Sequence, residues 1–248
     1  MTNLSIRHKA KQCFNMVAQL RQDLNAFINP LKAAFYPSFF KTGKGEYGEG
    51  DIFLGITVPQ IRAVVKKYET IATLPEIQAL ILDPVHEMRS AGLFILVNQF
   101  IKTNDPSIQK AIFDFYLSNT QGINNWDLVD CSAAQIVGAY LYDKDRTILY
   151  ELVQSSNFWE QRIAIIATFF FIRKGQYRDT ISLTTILVHH PHDLIQKAVG
   201  WMLREVGKRD LEILKQFLNT HYQTMPRTML RYAIEKFPEA ERQAYLKK

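Results

Sequence analysis

Apolar residues recur at helical spacing along most of the chain. Val17, Leu20 and Leu24 fall on one face of a helix predicted at 6–29, and Pro30, which has no backbone N–H to donate, is expected to end it. The alternation typical of strands is nearly absent. The same helical spacing predicts further helices at 31–40, 57–69, 75–82, 86–102, 106–118, 124–141, 145–155, 157–174, 177–188, 192–207, 209–219 and 224–236, with a tail at 238–247.

The predicted helices occur in pairs that repeat along the chain. Aligning the second helix of each pair gives spacings of 37, 36, 35 and 30 between five positions, which are Arg89, Trp126, Arg162, Lys197 and Arg227. Such periods are typical of helical-hairpin arrays, in which each pair buries its apolar face against the next. We therefore predict an all-α fold. The N-terminal ends of the second helices would share one face, where free N–H groups and basic side chains suit a phosphate backbone.

Composition is consistent with a well-packed protein that binds an anionic partner. Of the 248 residues, 47% are apolar, which is enough for a substantial core. Lys and Arg number 30 against 24 Asp and Glu, so the net charge is +6 and the pI is about 9.2. This balance modestly favours a polyanion such as nucleic acid and does not by itself require one.

Cysteine usage and hydropathy predict the compartment. Cys13 and Cys131 are too few for a disulfide framework or a four-cysteine zinc site. The N-terminal residues lack the apolar core of a signal peptide, and the longest apolar run, 163–172, is about half of a membrane span. We expect a cytoplasmic protein without a membrane segment.

Two motifs suggest cofactors, and both fail on context. Gly43, Gly45 and Gly48 match the G-x-G-x-x-G string, but no apolar strand precedes them and no helix opens after them, so a flexible loop is favoured, with ligand contact as the alternative. The histidines at 189, 190 and 192 flank a proline in a turn and lack metal-ligand spacing on a helix. We predict no cofactor and no metal.

One short stretch carries the best candidate chemistry. Trp126 and Asp130 are four residues apart, so they share a helical face. A core tryptophan with a dipole-stabilising acid would explain them equally well, except that Asp127 already serves the dipole. Arg162 and Lys197 are cations at helix starts, where either solvent or a bound phosphate could lie against them.

Three blocks, taken in order, resemble a known family. NWDLVD (125–130), WEQRIA (159–164) and IQKAVGWMLRE (195–205) are similar to the AlkD-type DNA glycosylases, the HEAT-like-repeat family of alkylpurine repair enzymes, and FLGI (53–56) resembles its N-terminal part. The resemblance covers roughly residues 35–236. It implies a right-handed superhelical solenoid of HEAT-like hairpins. We expect 1–248 to be one domain, with N-terminal helices and a Gly-rich loop at 1–70 and hairpin repeats at 71–248.

The resemblance also implies which residues act. The matching positions predict four catalytic residues, Asp130, Trp126, Trp201 and Arg162. Together with the repeat pattern, they predict DNA contacts from Arg162, Lys197, Arg204, Arg89 and Arg227. Two positions depart from the family pattern: Asn125 stands where members often carry tryptophan, and 43–50 is a glycine-rich insertion. Phe39 or Phe40 is a candidate substitute for an aromatic residue near the site.

The implied activity is hydrolysis of the N-glycosidic bond of cationic 3- or 7-alkylpurines in double-stranded DNA. No lysine is placed as a Schiff-base nucleophile, so we expect a monofunctional glycosylase that does not cleave the DNA strand. We also expect a monomer. In this mechanism Asp130 stabilises the developing sugar cation and positions water. The alternatives are a non-catalytic helical-repeat protein that binds branched or distorted DNA, and a peptide-binding helical scaffold.

Overall fold

The computed structural model describes residues 16–247. These residues divide into two compact units, with the boundary between Ser132 and Ala133. The all-α class is confirmed, since the only strand-like pairing among the described residues is a single parallel bridge between Ile52 and Val85. Cys13 and the beginning of the helix predicted at 6–29 lie outside the described residues.

The helices of the first unit match the predicted ones at 86–102 and 106–118 and are shorter than predicted at 57–69 and 124–141. They are α1 (16–25), α2 (Pro30–Phe39), α3 (Val58–Val65), α4 (Leu74–Ile81), α5 (His86–Lys102), α6 (Pro106–Ser118) and α7 (Trp126–Asp130), with a 3₁₀ turn at Thr120–Gly122.

The second unit continues in the same way. It opens with a π-helix (Ala134–Gly138) and contains α8 (Ala139–Leu141), α9 (Thr147–Leu152), α10 (Phe158–Arg173), α11 (Arg178–Leu187), α12 (Asp193–Gly207), α13 (Leu211–His221), α14 (Arg227–Ala233) and α15 (Glu239–Leu246).

The prediction that Pro30 ends the first helix is wrong. That helix ends at residue 25, and Pro30 instead opens α2, with the Asn29 side chain accepting a hydrogen bond from the backbone N–H of Lys32. Proline suits the first position of a helix because the N–H that it lacks would have no partner there.

The Phe53–Ile56 segment is held by a buried carboxylate. Glu87 accepts the backbone N–H groups of Leu54, Gly55 and Ile56 at 2.8–3.2 Å. Gly55 has φ +76°, and a Cβ there would lie 2.2 Å from the carbonyl oxygen of Asn29. A side chain at position 55 is therefore excluded twice, by conformation and by space. The segment ties α2 and the start of α3 to α5.

The single helix predicted at 124–141 is interrupted. The hydroxyl of Ser132 donates to the carbonyl of Leu128, and the backbone N–H of Ser132 turns to the carbonyl of Val129. The Ser132 hydroxyl thus takes the Leu128 carbonyl that would be the partner of the Ser132 backbone N–H in a continuous α-helix. This competition ends α7 after about one and a half turns. Helical pairing resumes as a π-helix at 134–138.

In the second unit, the second helices of successive hairpins pack side by side, α10 against α12 and α12 against α14. A Cβ on Gly138 would lie 2.2 Å from the Ala167 carbonyl oxygen, and one on Gly200 would lie 2.5 Å from that of Met229. The partners are 29 positions apart in both pairs, so the same close contact recurs between neighbouring repeats. This recurrence is the packing expected of a hairpin array.

Within residues 16–247, every helix is too short or too polar to cross a lipid bilayer.

Candidate functional site

A stack of aromatic rings surrounds Trp126 in the first unit. The indole stacks on Phe40, with ring centroids 5.4 Å apart and planes 18° apart, and Phe39 meets it edge-on at 5.8 Å. Phe40 in turn stacks on Phe53 at 4.9 Å. Both phenylalanines named from the sequence as substitutes for a family aromatic therefore lie against Trp126. The stack fixes the plane of the indole through aromatic contacts on one side.

Asn125 orients the start of α7. Its side-chain oxygen accepts the backbone N–H of Trp126 at 2.8 Å, and its amide nitrogen donates to Asp51 at 3.1 Å. Asparagine is a favourable N-cap residue, because its oxygen satisfies an N–H that the helix leaves free. Asn125 therefore caps α7 and links it to Asp51, in the segment that follows the glycine-rich loop.

Behind the aromatic stack lies a compact cluster of four charged side chains. The Nδ1 atom of His86 is 3.2 Å from Asp51, and its Nε2 atom is 2.8 Å from Asp127. Arg89 pairs with the second oxygen of Asp51 at 2.5 Å. Three of these side chains, those of Asp51, His86 and Arg89, are almost fully buried. The two cations and two anions therefore balance one another, and Asp127 is the one member of the cluster that is partly exposed to water.

The cluster keeps its histidine protonated. Burial lowers the pKa of His86, but the charge of Asp127 and hydrogen bonds to Asp127 and Asp51 more than offset burial and raise that pKa to about 9. Burial raises the pKa of Asp51, and hydrogen bonds from His86 and Arg89 outweigh it, so the net pKa is lowered. At neutral pH both ring nitrogens of His86 then donate, one to each aspartate.

The two acids of α7 have different surroundings. Asp127 is bound to His86, whereas Asp130 is half-buried at the last position of the helix, one turn after Trp126. Asp127 thus has a structural partner of its own, and serving the helix dipole is only part of its role. Cys131 follows; burial and the nearby Asp127 raise the pKa of its thiol, which stays protonated.

A small cavity opens beside this cluster. It has a volume of about 140 Å³ and is lined by the rings of α2 and by His86, Ser90 and Asp127. Phe39 and Val58 are the exposed members of its lining and form its mouth.

In the second unit, Arg162 lies in the second turn of α10. The residue is 4% exposed, and its Nη1 atom donates to the carbonyl of Leu194 at the start of α12. Lys197, in the second turn of α12, pairs with Asp193 at 2.7 Å. The chain itself therefore supplies an anionic or carbonyl partner at both helix starts where the sequence suggested a bound phosphate.

Trp201 lies two turns into α12. It is half-buried and contacts Phe169 of α10, with ring centroids 5.6 Å apart. This placement leaves part of the indole accessible. Lys197 is one turn before it on the same helix, as its spacing predicts.

The other predicted DNA contacts also have partners within the chain. Arg204 pairs with Glu235, and Arg227 donates to the carbonyl of Leu246. Arg89 is 6% exposed and belongs to the buried cluster with Asp51. The prediction that Arg89 contacts DNA is not supported by this placement, because the side chain of Arg89, the fourth residue of α5, is buried in the first unit.

The histidines at the 189–192 turn have local roles. His190 Nδ1 accepts the backbone N–H of His192, and His192 Nδ1 accepts that of Leu194. Burial lowers the pKa of both, so their rings are neutral acceptors at pH 7. No grouping of His, Cys, Asp and Glu suited to a metal ion occurs among residues 16–247.

The sequence did not reveal Asp51, His86 or the cavity as parts of a site. One signal was available: His86, Glu87 and Arg89 are three ionisable residues at the start of a helix in which Ser90 is the one other polar side chain through Val97. Ionisable side chains that are buried in a helix of this kind need partners of opposite charge. Asp51, directly after the glycine-rich loop, is one of these partners.

The fold and the Trp126–Asp130 pair together define the class of protein. It is a helical-hairpin repeat protein in which one short helix, α7, carries both an indole and a carboxylate. A family model described as DNA alkylation repair enzyme matches residues 20–237, and the chain belongs to that family. The repair class that the sequence suggested is thereby confirmed.

Two solved structures resemble the chain. A protein described as a predicted DNA alkylation repair enzyme from Enterococcus faecalis is 18% identical, with a TM-score of 0.66 over 86% of this chain and 97% of that one. AlkD2 from Streptococcus mutans is also 18% identical, with a TM-score of 0.55 over 92% and 99%. At this identity they support the fold. No curated protein sequence matches the chain.

Proposed function

We propose that this protein is a monofunctional DNA glycosylase that hydrolyses the N-glycosidic bond of cationic 3- and 7-alkylpurines in duplex DNA. Its membership of the alkylation repair family supports a repair role. The observation that carries the specific activity is the arrangement of α7, where Trp126 and the half-buried Asp130 lie one helical turn apart and Asp127 is bound to His86.

The chemistry requires only one carboxylate. Alkylation at N3 or N7 makes the purine cationic and therefore a good leaving group, so no strong acid is needed. As the bond to C1′ breaks, positive charge develops on the sugar. Asp130 stabilises that charge and orients the attacking water, the two tasks that carboxylates perform in glycoside hydrolysis.

The indoles contribute through their electron-rich faces. A cation over an indole gains about 0.5–2 kcal/mol. Trp126 is held in place by Phe39 and Phe40, and Trp201 by Phe169, so each indole is oriented before DNA binds. We propose Arg162, Lys197, Arg204 and Arg227 as contacts to the DNA backbone. On binding DNA, each of these side chains would replace a contact to a group of this chain with a contact to a phosphate.

The decisive experiment compares Asp130→Asn with Asp114→Asn. Both replace an aspartate of the first unit, and Asp114 is an exposed residue of α6 paired with Lys110. Release of 7-methylguanine from methylated duplex DNA is measured under single-turnover conditions. We expect Asp130→Asn to lose at least about 100-fold in rate, a few kcal/mol of transition-state stabilisation, while its DNA affinity stays within a few-fold.

The control variant should retain the wild-type rate. Full activity of Asp130→Asn would rule out this mechanism. DNA binding by the wild-type protein without any base release would instead identify a non-catalytic binder of distorted DNA.

A further inference from the structure

The helix that carries Trp126 and Asp130 is too short to maintain its own orientation. α7 has five residues, whereas an isolated helix shorter than about 12–15 residues is only marginally stable in water. Its direction must therefore be set by contacts with the rest of the first unit. An error of about 1 Å in the placement of a reacting group can slow a reaction by about 100-fold, so these contacts matter for any chemistry on this helix.

Two polar contacts of α7 converge on one oxygen atom, Oδ2 of Asp51. At the start of the helix, Asn125 accepts the backbone N–H of Trp126, and its side-chain nitrogen donates to Asp51 Oδ2 at 3.1 Å. In the first turn, Asp127 binds Nε2 of His86, whose Nδ1 is 3.2 Å from the same oxygen. One carboxylate therefore reaches the helix by two routes, each through a single capping or bridging side chain.

Asp51 is itself held firmly. Its side chain is 4% exposed, and its other oxygen, Oδ1, pairs with Arg89 of α5 at 2.5 Å. Its backbone N–H donates to the carbonyl of Gly48 at 3.1 Å, and the next residue, Ile52, is bridged to Val85 just before α5. A carboxylate that is fixed through both its backbone and its side chain can hold other groups in place.

The glycine-rich loop brings this aspartate to the cluster. The backbone N–H groups of Gly43 and Gly45 each donate at 2.8 Å to a glutamate of the same loop, Glu46 and Glu49 respectively. Such N–H groups can bind an anionic ligand, but here carboxylates of the loop itself occupy them. Gly50, directly before the aspartate, has φ +89°, a conformation that favours glycine. This arrangement suits a loop that presents the aspartate better than one that binds a ligand.

We propose that Asp51 is a positioning residue for the reaction site on α7. Acting through Asn125 and His86, it fixes the orientation of the helix that carries the indole and the Asp130 carboxylate. This rests on the proposed function in that the reaction concerned is base release by Asp130. The placement of Trp126 does not depend on that function and is measured separately.

The first test compares Asp51→Asn with Asp83→Asn. Both remove the charge of an aspartate of the first unit that pairs with an arginine, and Asp83 contacts Arg21 and the backbone N–H of Val85, which lie outside α7. The single-turnover rate of 7-methylguanine release is measured at saturating DNA, well below the melting temperature of each variant, and DNA affinity is measured by fluorescence anisotropy.

We expect Asp51→Asn to slow release by about 10- to 100-fold, with an affinity within a few-fold of wild type. Asp83→Asn should keep both values, even where its melting temperature falls. A residue that only stabilises the fold would not change the rate of the folded protein. A wild-type rate for folded Asp51→Asn would therefore overturn the proposal.

A paired exchange tests the route through Asn125. Asn125→Asp alone would place two carboxylates at the 3.1 Å separation that amide and carboxylate now have, and should slow release because like charges this close repel. In the double variant Asp51→Asn/Asn125→Asp the donor and the acceptor exchange places. The carboxylate at position 125 can still cap α7, since aspartate and asparagine are equally good N-caps. This variant should recover most of the lost rate, and a double variant as slow as the slower single one would contradict this route.

Asn125→Ser answers the same question if Asp51→Asn does not fold. Serine can cap α7, but it has no amide to donate to Asp51. We expect the same slower release with little change in DNA affinity. A folded Asn125→Ser protein with the wild-type rate would overturn the proposal.

A spectroscopic measurement separates this inference from the proposed activity. The chain has tryptophans at 126, 159 and 201, so protein labelled with 5-fluorotryptophan gives three fluorine NMR signals, each assigned with a Trp→Phe variant. Asp51→Asn should shift the Trp126 signal and leave that of Trp159 unchanged. This shift in a protein that releases no base would leave the inference standing and remove the glycosylase activity. An unshifted Trp126 signal alongside base release by the wild type would do the reverse.

Discussion

At the scale of single residues, the two aspartates of α7 differ in their contact with His86. Asp127 and Asp130 are three positions apart on one short helix, and helical spacing alone does not show which of them has a buried partner. The imidazolium of His86 distinguishes them, because it binds Asp127 at 2.8 Å. Buried charge pairs are expensive to break, since the remaining partner is left uncompensated. His86 therefore gives Asp127 a structural role in the folded protein.

The raised pKa of His86 predicts a pH-dependent stability. Because the folded state holds this proton more tightly than the unfolded state, the contribution is complete below the unfolded pKa of about 6.5. It decreases as the pH rises and is lost above the folded pKa of about 9. At 1.36 kcal/mol per pKa unit, the loss is at most about 3 kcal/mol.

Thermal unfolding from pH 6 to pH 9.5 measures this effect. The wild-type protein should lose stability over this range, and His86→Gln should lose clearly less. His189→Gln, which alters an exposed histidine, should follow the wild-type curve. Parallel curves for all three proteins would show that His86 is not protonated in the folded state.

At the scale of elements, close contacts between neighbouring second helices set the geometry of the repeat. Gly138 and Gly200 both lie where a helix meets the backbone of the next one. Helical glycines usually weaken a helix by up to about 1 kcal/mol relative to alanine. Here the short distance to the neighbouring carbonyl gives each glycine a packing role that exceeds this intrinsic loss.

We therefore predict that Gly200→Ala is destabilising. Its Cβ would lie 2.5 Å from both the Met229 carbonyl oxygen and the Tyr232 Cβ atom, so α14 would have to shift. Overpacking of this kind typically reduces stability by about 1–3 kcal/mol. Urea unfolding measures the change. Gly43→Ala serves as the control, because only the flexible Glu46 side chain is close to it. An unchanged or increased stability of Gly200→Ala would contradict the packing argument.

At the scale of the whole molecule, the four predicted catalytic side chains belong to two compact units. Trp126 and Asp130 are in the first unit, and Arg162 and Trp201 are in the second. Groups that act on one transition state show strongly non-additive effects when they are removed together. Function can therefore report whether both units serve one reaction.

We predict that Trp126→Phe and Trp201→Phe each slow 7-methylguanine release about 3- to 10-fold, since phenylalanine provides a weaker cation–π face. The double variant should lose less than the product of the two single losses. Single-turnover rates measure all three variants. A wild-type rate for Trp201→Phe would remove the second unit's indole from the proposed chemistry.

Much of this protein could be predicted from local pattern. The helices at 86–102 and 106–118 have the predicted bounds, and the second is capped locally by Asp105, which accepts the backbone N–H of Ser107. The repeat and the blocks around Trp126, Arg162 and Trp201 indicated the alkylation repair family, which the family model confirms. The break after α7 was missed because it depends on which carbonyl the Ser132 hydroxyl takes.

What the sequence alone determined is the all-helical repeat, since helical periodicity and capping act between residues only a few positions apart. Only the tertiary structure decided which partner each charged side chain has. Arg89 is buried against Asp51, Arg162 is held at the start of α12, and Asp127 is bound by His86. These pairings join residues 32 to 41 positions apart, and which ionisable groups meet out of water depends on the packing that brings them together.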